Sequence, residues 1–152
     1  MRLLVLISGI LASMLASACA TVVPPGAPPP SAPMLTDTEW RLVAFQSPED
    51  SIGTIRPKQD EVYTIHFQPN GEVSAQLFCN RGHGSWSSPD PHAARASLTI
   101  GQMAVTRAMC LPTPLERLER DLNRVSSFAI ADGRLHLNLQ MDSGDYIWEP
   151  TH

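Results

Sequence analysis

No part of this chain limits its fold more than the run from Val62 to Phe78. Val62–Phe67 (VYTIHF) places Tyr63, Ile65 and Phe67 on one face and Thr64 and His66 on the other, the two-residue period of a half-buried strand. Gln68-Pro69-Asn70-Gly71-Glu72 comes next, and Asn70-Gly71 tolerates the positive φ of a tight hairpin turn. Val73–Phe78 then returns antiparallel, with Val73, Ala75, Leu77 and Cys79 sharing parity. A lone hairpin is marginal in water, so this one demands further strands or a helix on its apolar face.

The neighbouring segments supply them. Glu39–Gln46 (EWRLVAFQ) alternates loosely, with Trp40, Leu42 and Ala44 on one face and Val43 and Phe45 on the other. Ser47–Asp60 reads as a polar loop, and Asn80–Ala94, rich in Gly, Ser and Pro, as a long irregular stretch interrupted by Trp86. Arg95–Ile100 (RASLTI) reads as a short strand with Ala96, Leu98 and Ile100 inward. The one helix signal starts at Thr113: a hydroxyl for the N-cap, Pro114 at the first helical position and Glu116 at N3 form a capping box. Leu115, Leu118, Leu122 and Val125 recur behind it at helical spacing. Phe128–Ile130 and Leu135–Leu139 flank Ala131-Asp132-Gly133-Arg134 as a second hairpin, and Asp145–Glu149 (DYIWE) ends the pattern as a last strand. Six or seven short antiparallel strands with one late helix predict a mainly β (α+β) domain, a small bent sheet or barrel with the helix packed against it or plugging an end.

The first 34 residues follow other rules. Arg2 precedes the uncharged run Leu3–Ala18, which closes on the small residues Ala16-Ser17-Ala18, the layout of a secretory signal peptide. Cys19 follows directly, as in bacterial lipoprotein signals, where the thiol is acylated and becomes the first mature residue. The apolar run is too short for a stable membrane-spanning helix, so membrane attachment is expected through lipid. Six prolines within Pro24–Pro33 exclude a helix or a central strand and favour a semi-rigid extended spacer. The expected organisation is a lipoprotein signal over 1–18, a lipidated Cys19 with a Pro/Ala-rich tether over 19–34, and one folded domain over 35–152. The expected location is the bacterial cell envelope, lipid-anchored, at the outer membrane facing the periplasm.

The net charge of −4 and scattered arginines, with Lys58 as sole lysine, argue against nucleic acid and against polybasic adhesion to lipid. If Cys19 is acylated, two of the three cysteines are left, Cys79 and Cys110, and an exported chain allows them one pairing. A bridge closing a loop of that length is worth about 3–4 kcal/mol in the chain-entropy model. A structural bridge is the leading reading, with free thiols or a redox pair, helped by Arg81 and Arg107, as alternatives.

Three pieces together resemble the META domain, the HslJ-like family of small bacterial envelope proteins. They are the opening strand on Trp40-Arg41-Leu42, then Asn70-Gly71 leading into Phe78-Cys79-Asn80-Arg81, and Thr106-Arg107-Ala108-Met109-Cys110 ahead of the helix. The match runs from about Leu35 to Trp148. The chain departs from the family pattern at Phe78, where glycine is usual and permits a backbone geometry that phenylalanine resists. The resemblance implies a compact, lipocalin-like antiparallel barrel with a helix and motif residues Trp40, Asn80, Arg81, Thr106 and Met109. It also implies a family without established catalytic activity, loosely tied to stress response, drug tolerance and secretion.

The residues themselves point to little chemistry. His66, His83, His92, His136 and His152 stand in no metal-ligand spacing, and no G-x-S-x-G elbow or phosphate loop is present. His83, between Gly82 and Gly84, reads as part of a mobile loop. Asn80-Arg81 and Thr106-Arg107 read either as a ligand or partner surface or, by preference, as side chains that satisfy backbone groups where strands bend. No catalytic residue, metal or cofactor is expected. The expected function is that of a non-enzymatic envelope protein that binds an unidentified envelope protein or small ligand in a stress or drug-tolerance role. A periplasmic hydrolase inhibitor, a carrier of a small hydrophobic ligand and a thiol-redox factor are the alternatives.

Overall fold

The computed structural model describes residues 34–36 and 38–151, so the signal, Cys19 and the tether to residue 33 lie outside the described residues. Along the chain come β1 (Glu39–Gln46), β2 (Thr54–Ile55), β3 (Tyr63–Phe67), β4 (Glu72–Leu77), β5 (Asn80–Ser87), β6 (Arg95–Ser97), β7 (Thr99–Ile100) and β8 (Ala104–Val105). Helix α1 (Leu118–Leu122), β9 (Val125–Ala131), β10 (Arg134–Leu139) and β11 (Asp145–Pro150) complete it.

One antiparallel sheet runs in the order β6-β9-β10-β11-β1-β3-β4-β5-β7. Its two outermost members are consecutive in the chain, separated only by Leu98. The expected single strand Arg95–Ile100 therefore splits: Arg95–Ser97 pairs with β9, while Thr99 and Ile100 pair with β5. Leu98 donates its amide to Ser126 O at 3.0 Å and is itself buried. One short segment thus ties both ends of the sheet, and the sheet curls into a nearly closed barrel with the helix across one end. The mainly β architecture is as the sequence predicts.

The interior is filled by large side chains, with Trp40, Trp148, Tyr146, Phe45, Phe67 and Phe128 all fully buried. Each such side chain contributes about 2–3 kcal/mol through removal from water. In β1 the register slips between Leu42 and Ala44, so Phe45 joins Trp40 and Leu42 in the core instead of facing away. There it meets Tyr146 with ring centroids 4.5 Å apart.

Several local expectations change. The Val62–Phe78 hairpin forms, but its loop holds three residues: Gln68 N bonds Glu72 O at 2.8 Å and only Gly71 is left-handed, at φ +85°. Asn70 instead accepts the Glu72 amide on its side chain at 3.0 Å. Asn80–Ser87, expected to be irregular, is an eight-residue strand, and His83 is an exposed residue on it rather than part of a loop. The inward positions of β5 are Gly82, Gly84 and Trp86, and Met103 fills the space at both glycines. A Cβ on Gly82 would lie 2.9 Å from the Met103 Cε. The alternation exists, but its apolar partner comes from another segment.

The helix is shorter than its sequence signal. The capping box forms: Glu116 Oε1 accepts the Thr113 amide at 3.3 Å, and Thr113 Oγ1 accepts the Leu115 amide at 3.2 Å. Regular helix then spans only Leu118–Leu122, because Val125 and Phe128 pair with β10 in β9. β-Branched and aromatic residues with a waiting partner strand override helical spacing. Leu115, Leu118 and Leu122 are buried under the plug.

A buried carboxylate pins that plug. Asp121 takes Arg117 Nε at 2.6 Å and the Tyr146 hydroxyl at 2.8 Å, and Arg117 also stacks 4.9 Å from the Phe45 ring centroid. Burial, reinforced by the bond to Asp121, pushes the Tyr146 phenol far above its ordinary range.

Candidate functional site

The plugged end gathers the residues that the sequence singles out. β4 and β5 are joined there by a two-residue turn, Phe78-Cys79, with Leu77 opposite Asn80. Phe78 sits at φ +58°, so the phenylalanine does take the left-handed conformation that glycine favours at this point. Such a residue costs about 1–2 kcal/mol. Its amide donates to Val62 O at 3.0 Å, and its ring lies 6.3 Å from that of Tyr63.

Beside this turn, Cys79 and Cys110 meet as a disulfide with Cα atoms 5.8 Å apart. Cys110 ends a segment that runs antiparallel along β5. Val105 pairs with Gly82, and Thr106 N donates to Arg81 O at 3.0 Å. In return Arg81 N donates to the Thr106 hydroxyl at 3.0 Å. Beyond that point the Asn80 carboxamide stands in for a peptide group. Its Oδ1 accepts the Ala108 amide at 2.8 Å and the Thr106 hydroxyl at 2.9 Å. Its Nδ2 donates to Ala108 O at 3.4 Å and to Cys110 Sγ at 3.1 Å. Asn80 and Thr106 are thus structural braces that satisfy backbone groups where the strands separate.

What the brace holds is exposed. Met109 is 102% and Leu111 74% exposed, on either side of the bridged Cys110. Next to them lies a cleft of about 230 Å³ lined by Tyr63, Leu77, Phe78, Leu115 and Leu118, with Glu116 and Glu119 also on its wall. That is below the roughly 300–1,000 Å³ of sites for drug-sized ligands. Glu119 is engaged by Arg107 Nη1 at 3.0 Å, and the Tyr63 hydroxyl is hydrogen-bonded to Thr113 Oγ1 at 2.9 Å. Burial, the largest influence, raises the Tyr63 phenol, partly offset by that bond to Thr113.

Of the motif residues, Asn80, Arg81, Thr106 and Met109 converge here. Trp40 does not: it is a core residue whose Nε1 donates to Leu35 O at 3.3 Å, fixing the start of β1. Among the described residues no group of three His, Cys, Asp or Glu side chains stands together as a metal site. His136 Nδ1 lies 2.7 Å from Asp145 Oδ2 on the outside of the barrel, a pairing with no sequence signal because the two meet only across β10 and β11. Leu111 and the buried Asp121 carry no sequence signal either: Leu111 lies in an irregular segment, and the helical Asp121 is buried against a partner, Tyr146, 25 positions away.

Known proteins agree with this architecture. The crystal structure of a DUF4847 family protein from Bacteroides vulgatus superposes with a TM-score of 0.55 at 14% identity, covering 76% of this chain and 93% of that one, a likeness of fold alone. No curated protein matches the chain. The META domain model matches residues 33–146, three quarters of the sequence, and the chain belongs to the META domain family.

Proposed function

We propose that this protein is a non-enzymatic, lipid-anchored binding protein of the bacterial cell envelope. It is held by an acylated Cys19, at the outer membrane facing the periplasm, and contacts an envelope partner through its plugged end. The observation that carries this reading is the exposure of Met109 and Leu111 on a segment braced by Asn80, Thr106 and the disulfide. Large apolar side chains held rigidly in water cost solubility and suit a partner that covers them. The direction of the chain supports it. Thr36 bridges to Phe67, at the far end of β3 from Tyr63 and the cleft, so the chain enters the domain at the end opposite the braced loop.

The carrier reading has less support, because aromatic side chains fill the barrel interior. The thiol-redox reading predicts free Cys79 and Cys110 thiols in part of the exported protein; a structural bridge predicts none in a thiol titration under denaturing conditions. Palmitate labelling of cells producing the full chain tests the anchor. Incorporation is expected in wild type and lost in Cys19→Ala. An unlabelled wild-type protein would overturn the anchored reading.

A further inference from the structure

The segment Thr106–Leu111 has a backbone pattern that goes beyond exposure. In an extended chain the N–H and C=O of one residue point to the same side, and those of its neighbours to the other. The Thr106 amide turns inward to Arg81 O, and both backbone groups of Ala108 turn inward to the Asn80 carboxamide. The backbone groups of Arg107 and Met109 make no hydrogen bond among the described residues, and no residue from 106 to 112 is left-handed. Over 106–109 this alternation is that of a strand continuing past β8, with the Arg107 and Met109 groups unpaired and the most exposed large apolar side chain of the described residues at its tip. Covalent and side-chain braces stand on the opposite side from those free groups.

An extended strand with alternate free backbone groups and one apolar anchor is the form in which endopeptidases bind substrate, by strand addition plus a pocket for one side chain. Bracing from behind keeps such a segment in its bound shape and holds its two halves together. We infer that Arg107–Leu111 is a substrate-like inhibitory loop. Met109 fills the primary specificity pocket of an extracytoplasmic endopeptidase that accepts apolar side chains, while the Arg107 and Met109 backbone pairs with the enzyme's substrate-binding strand. This rests on the reading of the braced end as a binding face.

The test titrates subtilisin, a broad endopeptidase with an apolar pocket, with the full-length exported protein in its oxidised form. Expected is stoichiometric loss of peptidase activity on a small chromogenic peptide, with the inhibitor chain still intact by mass spectrometry. Met109→Asp, at a fully exposed position, is expected to keep the melting temperature and weaken inhibition about 30-fold or more. Met109→Lys is expected to transfer inhibition to trypsin, and Asn80→Ala to turn the loop into a cleaved substrate. Rapid multiple-turnover cleavage of the wild-type loop, absence of inhibition, or inhibition indifferent to Met109→Asp would each overturn the inference. A photo-reactive residue at 109 separates this from the binding reading. A crosslinked envelope protein together with unaffected subtilisin sinks the inhibitor and leaves the binding face; no adduct and no inhibition sink both.

Discussion

The two ends of the barrel turn their chains by different means. At the end where the chain joins β1, the hairpins rely on local residues: Gly71 at φ +85° and Asp132-Gly133 at +51° and +72°, and a Cβ added at Gly133 would meet nothing within 4 Å. At the plugged end, besides Gly53, Gly144 and Asp142, left-handed conformations fall on Phe78 and Met141, residues that resist them. Long-range links hold that end instead. They include the disulfide, the Asn80 brace, the Asp121–Tyr146 pin and the bond from Gln140 N to Arg124 O at 2.8 Å. Where turn chemistry is local, the chain folds and no more is asked of it. Where tertiary links override it, the chain holds exposed side chains in fixed positions, and there the candidate site lies.

The largest effect expected from breaking this contrast comes from the bridge. Cys79→Ser with Cys110→Ser should cost about 3–4 kcal/mol in chemical denaturation and speed hydrogen exchange around Ala108 before that around Gly133. Asn80→Ala comes next, at about 2 kcal/mol, because it leaves the Ala108 amide without its acceptor. A calorimetric scan with unchanged Tm would show that the brace contributes nothing.

The Tyr146 pin gives a pH dependence confined to the alkaline side. Its folded-state pKa lies above the unfolded value of 10.0, so its contribution is fully present below pH 10 and is lost as pH rises above that value. At pH 11 the loss is at most about 1.4 kcal/mol, and Tyr146→Phe should remove that part of the alkaline slope. The smallest effects separate the turns themselves. Gly133→Ala should destabilise by about 1 kcal/mol through its left-handed φ alone. At Phe78 the same order is expected, with Phe78→Gly more stable than Phe78→Ala by about the same amount. Equal stability of those two variants would mean that Phe78 bears no backbone strain.

The same contrast decides how much can be read from residues alone. The β3–β4 and β9–β10 hairpins are legible because turn glycines and period-two alternation are local signals. β5 is not, because its inward positions are glycines whose space Met103 fills from another segment. The helix signal overruns into Val125 and Phe128 because spacing cannot reveal that β10 waits to pair with them. Asn80, Thr106 and Met109 stand out only through resemblance. That the first two satisfy backbone groups where strands separate is the preferred reading of the residues, but their partners, Ala108 and Cys110 about thirty positions from Asn80, and the exposure of Met109 are not legible there.

If the braced end is the face that meets a partner, a neighbour must lie within reach of Met109 in the cell. A photo-reactive amino acid placed in turn at position 109 and at position 133, in cells producing the full chain, tests this most directly. A discrete protein adduct is expected at 109, dependent on intact Cys110 and Asn80, and none at 133. Adducts at 133 alone, or equally at both positions, would contradict it.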